Sequence, residues 1–177
     1  AKPKTATPFN SIDITGADYA RNFVLPDHHG RLRSLKDFAG KVVVVFFGFT
    51  QCPDVCPATM AEIAQAKALL GSDSDKLQAV FVTVDPERDT PEVLKAWPTS
   101  MRASLPCDPM PSNWQPVAKV FKIYFKKVEG KSPTAYTMDH SAASYVYDPQ
   151  GRLRLYLRYG SGAEILAADA RLLIRGA

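Results

Sequence analysis

Cys52 and Cys56 stand four residues apart, where a strongly apolar segment gives way to one rich in helix formers. A thiolate is a nucleophile, a redox centre and a ligand for soft metal ions, so a spaced pair admits more than one chemistry. At i and i+4 of a helix the two would share a face, with Cα atoms on the order of 6 Å apart. That separation permits either a disulfide or a joint grip on one soft metal ion. The N-terminus of a helix beside the pair adds partial positive charge, which favours thiolate over thiol. The third cysteine, Cys107 in Leu105-Pro-Cys-Asp-Pro109, is left over and reads as a free or buried thiol. One pair and a remainder is not a disulfide scaffold; it fits a reactive pair on a fold held by its own core.

The elements that must position the pair are legible around it. Val42–Phe47 is β-branched and aromatic and predicts a buried central strand. Gly48 and Thr50 break it, Pro53 suits the first turn of a helix, and that helix is expected from about Pro53 to Leu70. Gly71–Asp75 reads as a polar loop and Leu77–Val84 as a second strand, so the unit is βαβ and its strands should be parallel. Phe23–Leu25 and Arg31–Leu35 flank Pro26-Asp-His-His-Gly30, a β-hairpin whose tip leaves His28 and His29 in solvent. Thr90 and Pro91 open a short helix to Trp97, and Asn113 caps another from Trp114 to about Phe121. Ala143–Tyr147 and Leu153–Tyr159 form a hairpin around Asp148-Pro-Gln-Gly151, and Ala163–Ile174 closes the chain as an amphipathic helix. The expected picture is a surface segment over residues 1–21 and one α/β domain over 22–177. In it the parallel pair lies at the centre and the antiparallel hairpin at one edge. Met60, four residues after Cys56, is read as core.

The 177 residues suffice for one domain with a real core, and 46% hydrophobic with 23% charged is ordinary globular composition. The net charge of +4 is scattered, with no basic run and no interleaved basic and aromatic stripe, so nucleic acid is not an expected partner. No apolar run approaches the roughly 18 residues that span a bilayer. The start, Ala1 to Asn10, has neither an initiating Met nor the apolar core of a signal peptide, so a processed or truncated form is expected.

A cysteine pair after the central strand of a βαβ unit resembles the thioredoxin fold, although three residues separate the cysteines here rather than two. Three segments in order are more specific. They are Phe47-Gly-Phe-Thr-Gln-Cys52-Pro-Asp-Val-Cys56-Pro57, Val82-Thr-Val-Asp85-Pro-Glu-Arg-Asp-Thr-Pro91 and Asp139-His140-Ser-Ala. Together they look like the Sco/SenC family, and Gly16-Ala-Asp-Tyr and Phe23-x-Leu25 with Asp27 fit its N-terminal region. The resemblance runs from about Ser11 to the end of the chain. It implies a thioredoxin-like α/β fold: a central mixed sheet flanked by helices, with an N-terminal β-hairpin.

The resemblance also implies copper, as Cu(I) or Cu(II), held by Cys52, Cys56 and His140. Its destination would be the binuclear copper centre of cytochrome c oxidase. Partners would be subunit II of that oxidase or another copper protein, with copper donors and thiol reductants upstream. The family is held at a membrane facing the periplasm or the mitochondrial intermembrane space, here by a segment absent from the chain. Thiolates prefer Cu(I) and an imidazole also accepts Cu(II), and the cysteines could be ligands only when reduced. Asp85, at the carboxyl end of the second parallel strand, could orient His140 or Cys52, or simply cap the turn before Pro86. Two further functions use the same pair: a thiol–disulfide reductase acting on the oxidase cysteines, and a copper or redox sensor.

Overall fold

The computed structural model describes residues 7–51, 55–85, 88–95, 125–128, 130–131, 137–140 and 143–177, with side chains at all of these except 25–26, 55–57, 125–127 and 137–140. Cys52, Cys107, Trp97 and the helix expected from Trp114 lie outside the described residues.

The strongest strand signal becomes the strand that organises the sheet. Val42–Gly48 (β4) is buried at every position. Its pleat sends Val42, Val44 and Phe46 into one core layer and Val43, Val45 and Phe47 into the other. It pairs in parallel with Leu77–Thr83 (β5), from Val42 opposite Leu77 to Gly48 opposite Thr83. The crossover between them is Val55–Leu70 (α1), which packs against Ala163–Ile174 (α3). Ile63 and Ala66 of α1 and Leu166, Ala170 and Leu173 of α3 fill the layer on the Val44 side.

On the opposite face the described cover comes from the N-terminal part of the chain. Ala20, Phe23, Leu35 and Phe38 pack on Val43, Val45, Tyr145 and Tyr147. Tyr147 donates its hydroxyl hydrogen to the Ala20 carbonyl at 2.6 Å. Burial pushes the Tyr147 phenol far above its ordinary pKa, so it stays a donor. Ala20 carries a φ of +51°, a conformation an L residue accepts only where its surroundings enforce it, and here the hydrogen bond and the packing do so.

The N-terminal hairpin is Val24–Pro26 (β2) against Leu32–Ser34 (β3), antiparallel and separate from the main sheet. His29 is exposed and His28 half-buried at its tip. The short helix after β5 is Pro91–Lys95 (α2), and the Val93 N–H points to the Thr90 hydroxyl at 3.4 Å as a cap. Met60 is half-buried against the α1–α3 core layer.

Three expectations differ from the structure. The parallel pair is not at the centre. Ile12–Asp13 (β1), Ser144–Tyr147 (β8) and Leu153–Leu157 (β9) extend the sheet in the order β1-β9-β8-β4-β5, which leaves the hairpin in the middle and β5 at an edge among the described strands. Local sequence marks a strand but not its neighbours. The order follows from which backbones pair, and β8 uses both sides, with β4 on one and β9 on the other. Second, Ile12–Asp13 belongs to a stretch expected to loop over the surface, yet it pairs with Leu155–Tyr156. Asp169 of α3 anchors the approach, accepting from the Asn10 and Ser11 N–H groups at 2.9 and 2.8 Å and from the Ser11 hydroxyl at 2.5 Å. Third, Gly71–Lys76 is a 3₁₀ helix rather than a loop, a common way to tighten the end of an α-helix.

Candidate metal centre

The carboxyl ends of β4 and β5 meet at one edge of the molecule. Gly48 lies opposite Thr83, and the Val84 N–H continues the ladder to the Gly48 carbonyl at 2.8 Å. Beyond that point β4 releases Phe49, Thr50 and Gln51, with Cys52 next in sequence and Cys56 in the first turn of α1. Pro57 fits that turn because the first four N–H groups of a helix have no partner within it. The expected start at Pro53 lies outside the described residues; the described helix begins at Val55.

His140 ends Thr137–His140 (β7), which pairs with Phe125–Val128 (β6) so that His140 faces Phe125 in register. It stands four residues ahead of Ser144, the partner of Phe46. The backbone of His140 therefore leads to the same end of the sheet as the backbone of Cys56. Among residues whose side chains are described, no three His, Cys, Asp or Glu groups converge as a metal cluster. The donor set that would hold copper, Cys52, Cys56 and His140, is made of residues whose side chains are not described. Its chemistry, two soft thiolates and an imidazole, fits copper in either common oxidation state.

What the structure describes in atomic detail is the network that joins the ends of β4 and β5. Asp85 is buried, and its Oδ2 accepts from Nε of Arg88 at 2.5 Å while its own N–H donates to the Thr83 hydroxyl oxygen at 3.0 Å. Arg88 reaches back over the loop. Its Nη1 donates to Oε1 of Gln51 at 3.2 Å and its guanidinium lies 5.7 Å from the Phe49 ring centroid. A planar guanidinium serves carboxylate, amide and ring at once, which a lysine cannot do. Asp85 thus has a described ion-pair partner in addition to any capping role, and the Asp89 N–H donates to its carbonyl at 2.9 Å.

Asp89 is the hub that sequence reasoning missed. It is 2% exposed. Its Oδ1 accepts from the Thr50 hydroxyl at 2.5 Å. Its Oδ2 accepts from the Thr50 N–H at 3.0 Å and the Thr83 hydroxyl at 2.5 Å. Burial holds the Asp89 pKa above the ordinary aspartate range, opposed by these hydrogen bonds and reinforced by the neighbouring Asp85 charge. The signal was present in Asp85-Pro-Glu-Arg88-Asp89-Thr, where Asp89 follows Asp85 by four residues. A cation three residues after Asp85 accounts for one carboxylate and leaves the other to find neutral donors.

No helix of the described residues is long and apolar enough to cross a membrane. The SCO1/SenC family model matches residues 13–175. The mitochondrial SCO2 homolog of Homo sapiens is 32% identical over 155 residues, covering 85% of this chain and 58% of that protein, so the chain spans about three fifths of that relative. A structure of Bradyrhizobium japonicum ScoI with copper bound is 37% identical, with a TM-score of 0.74 over 86% of this chain and 97% of that one. The solution structures of apo Sco1 from Thermus thermophilus are 32% identical, with a TM-score of 0.76 over 93% of this chain and 96% of that one. The five-stranded mixed sheet with α1 and α3 on one face is the thioredoxin-like fold of these neighbours. A match over all but the ends of the chain, with the same fold in its neighbours, makes this protein a member of the SCO1/SenC family.

Proposed function

We propose that this protein is a copper-binding metallochaperone. It takes copper as cargo on Cys52, Cys56 and His140 and delivers it to the binuclear copper centre of cytochrome c oxidase during assembly. What supports this reading is the order of the elements around the carboxyl end of β4: α1, with Cys56 in its first turn, follows β4 in the chain, and His140 precedes by four residues Ser144, the partner of Phe46. The likeness to a ScoI structure with copper bound, at 37% identity, supports the same reading. The thiolates supply soft donors, the imidazole a borderline one, and a three-ligand site leaves copper open to attack by an acceptor's thiols. Asp85, paired with Arg88, orients a ligand from beside the cluster. The acceptor is subunit II of the oxidase or another copper protein, and copper donors and thiol reductants act upstream. The protein works in the periplasm or an equivalent compartment, held at a membrane.

The position of Cys56 in the first turn of α1 also favours a second reading, a thiol–disulfide reductase. In that role the Cys52–Cys56 dithiol passes two electrons and two protons to a disulfide of the oxidase and becomes a disulfide itself. Copper binding by the reduced protein against a competing Cu(I) chelator separates the two. Tight one-to-one binding, lost in Cys52→Ser/Cys56→Ser and weakened at least ~10-fold in His140→Ala, is the expected result. Weak binding indifferent to His140 would leave the reductase.

A further inference from the structure

Thr50 lies on the β4 exit two residues before Cys52, and its main-chain N–H and its hydroxyl are both bound by one carboxylate from a different loop. That carboxylate, Asp89, holds the Thr83 hydroxyl at the end of β5 with its other bond. Three donors converge on a group that has only acceptors, and Thr83 in turn takes the Asp85 N–H. The β4 exit is therefore tied to the β5 end by side-chain bonds that begin where the ladder of the sheet stops. Arg88 adds a second tie from the same loop, to Gln51. A loop between a strand end and a helix start has few regular backbone bonds of its own, so these contacts set where it leaves the sheet.

We infer that Asp89 is a positioning residue for Cys52: by clamping Thr50 to the end of β5 it fixes the point from which the cysteine loop departs, and so the placement of the Cys52 sulfur relative to Cys56 and His140. This rests on the reading of Cys52 as a copper ligand. Asp89 touches no copper and donates nothing to it. Its work is to hold the approach rigid, so that ordering the loop is completed on folding rather than at the moment of metal capture.

The experiment compares the reduced wild type with Asp89→Ala, Asp89→Asn, Thr50→Val and Asp169→Ala, by Cu(I) competition and by iodoacetamide alkylation followed at Cys52 and Cys107 by peptide mass. Asp89→Ala removes the clamp and is expected to weaken Cu(I) binding ~10- to 100-fold and to speed alkylation at Cys52 alone. Asp89→Asn keeps an oxygen for the Thr50 N–H and Thr83 hydroxyl, while its amide can donate to a reoriented Thr50 hydroxyl, and should recover most of the affinity. Thr50→Val cuts one bond, keeps the shape and should fall between. Asp169→Ala breaks a comparable set of bonds to Asn10 and Ser11 and should leave affinity within about twofold of wild type. Wild-type affinity and alkylation in both Asp89→Ala and Thr50→Val would overturn the assignment. Equal weakening by Asp169→Ala, or faster alkylation at Cys107 as well, would overturn it too, by assigning the effect to general loosening. If wild type itself does not hold copper through the three ligands, the chaperone reading falls and alkylation at Cys52 alone decides the role of Asp89.

Discussion

Two buried aspartates, one in the β2–β3 turn and one between β5 and α2, are perturbed in opposite directions. Asp27 sits at the tip of the β2–β3 hairpin. Its Oδ1 accepts from the His29 and Arg31 N–H groups at 2.8 and 3.0 Å, and the Arg33 guanidinium approaches its Oδ2 at 3.5 Å. Burial works against its charge, but those backbone bonds and the guanidinium outweigh it and hold the pKa below the ordinary value. Gly30, at a φ of +79°, completes the turn where a side chain would be strained. Asp89 has two hydroxyls, one N–H and a second carboxylate nearby, and the only cation of its own loop, Arg88, is paired with Asp85. Burial then prevails and its pKa rises. The hairpin tip is built to be stable when charged. At the end of β5 the Asp89 carboxylate is held by the Thr50 and Thr83 donors rather than by a described cation, and that cost is tolerated because the group holds the exit of β4.

Removing each group should separate the two regions most widely. Asp89→Ala leaves the buried Thr83 hydroxyl and the two half-buried Thr50 donors without an acceptor and should lower global stability by about 3 kcal/mol in urea unfolding. Asp27→Ala removes bonds at a more accessible turn and should cost about 1–2 kcal/mol by the same measurement, without effect on copper binding. A larger loss at Asp27 than at Asp89 would reverse the comparison.

The pH dependence sharpens it, with a smaller effect. Asp27 has its folded pKa below the unfolded value of 3.8, so its contribution is present above that pH and lost as pH falls through the folded value. Asp89 has its folded pKa above 3.8, so its contribution is complete below that pH and lost as pH rises through the folded value. Urea midpoints taken from pH 3 to 8 should show the gap between wild type and Asp27→Asn widening as pH rises. For Asp89→Asn the variant should gain on wild type as pH rises from 3.8. Parallel profiles for the two variants would remove the electrostatic distinction.

Much of the fold could be read before the structure, and the reason is periodicity. Val42–Gly48 is an uninterrupted apolar run and Leu77–Thr83 is apolar except at Gln78 and its terminal Thr83, α3 has the expected boundaries of Ala163–Ile174, and Asp148-Pro-Gln-Gly is a turn by composition. The Asp148 carboxylate takes the Gln150 and Arg152 N–H groups at 3.0 and 2.9 Å, which is what an aspartate at that turn position does. Ile12–Asp13 was not legible. Two residues carry no period, and this strand exists because β9 offers an open edge and Asp169 anchors the chain beside it. The cysteine pair was legible from residue type and spacing, and His140 joined it as a candidate ligand only through the family resemblance; their neighbours were not legible, because a positioning bond joins groups distant in sequence.

Sequence by itself determined the parallel βαβ unit, the cysteine pair at its strand-to-helix junction and the family, because each is written in local pattern or in residues adjacent along the chain. Tertiary structure decided the strand order, the face on which the N-terminal segment lies and the clamp from Asp89 to Thr50, 39 residues away. Those depend on which backbone groups remain unpaired once the elements form and on which buried acceptor comes within reach of them, and neither quantity exists until the chain has closed on itself.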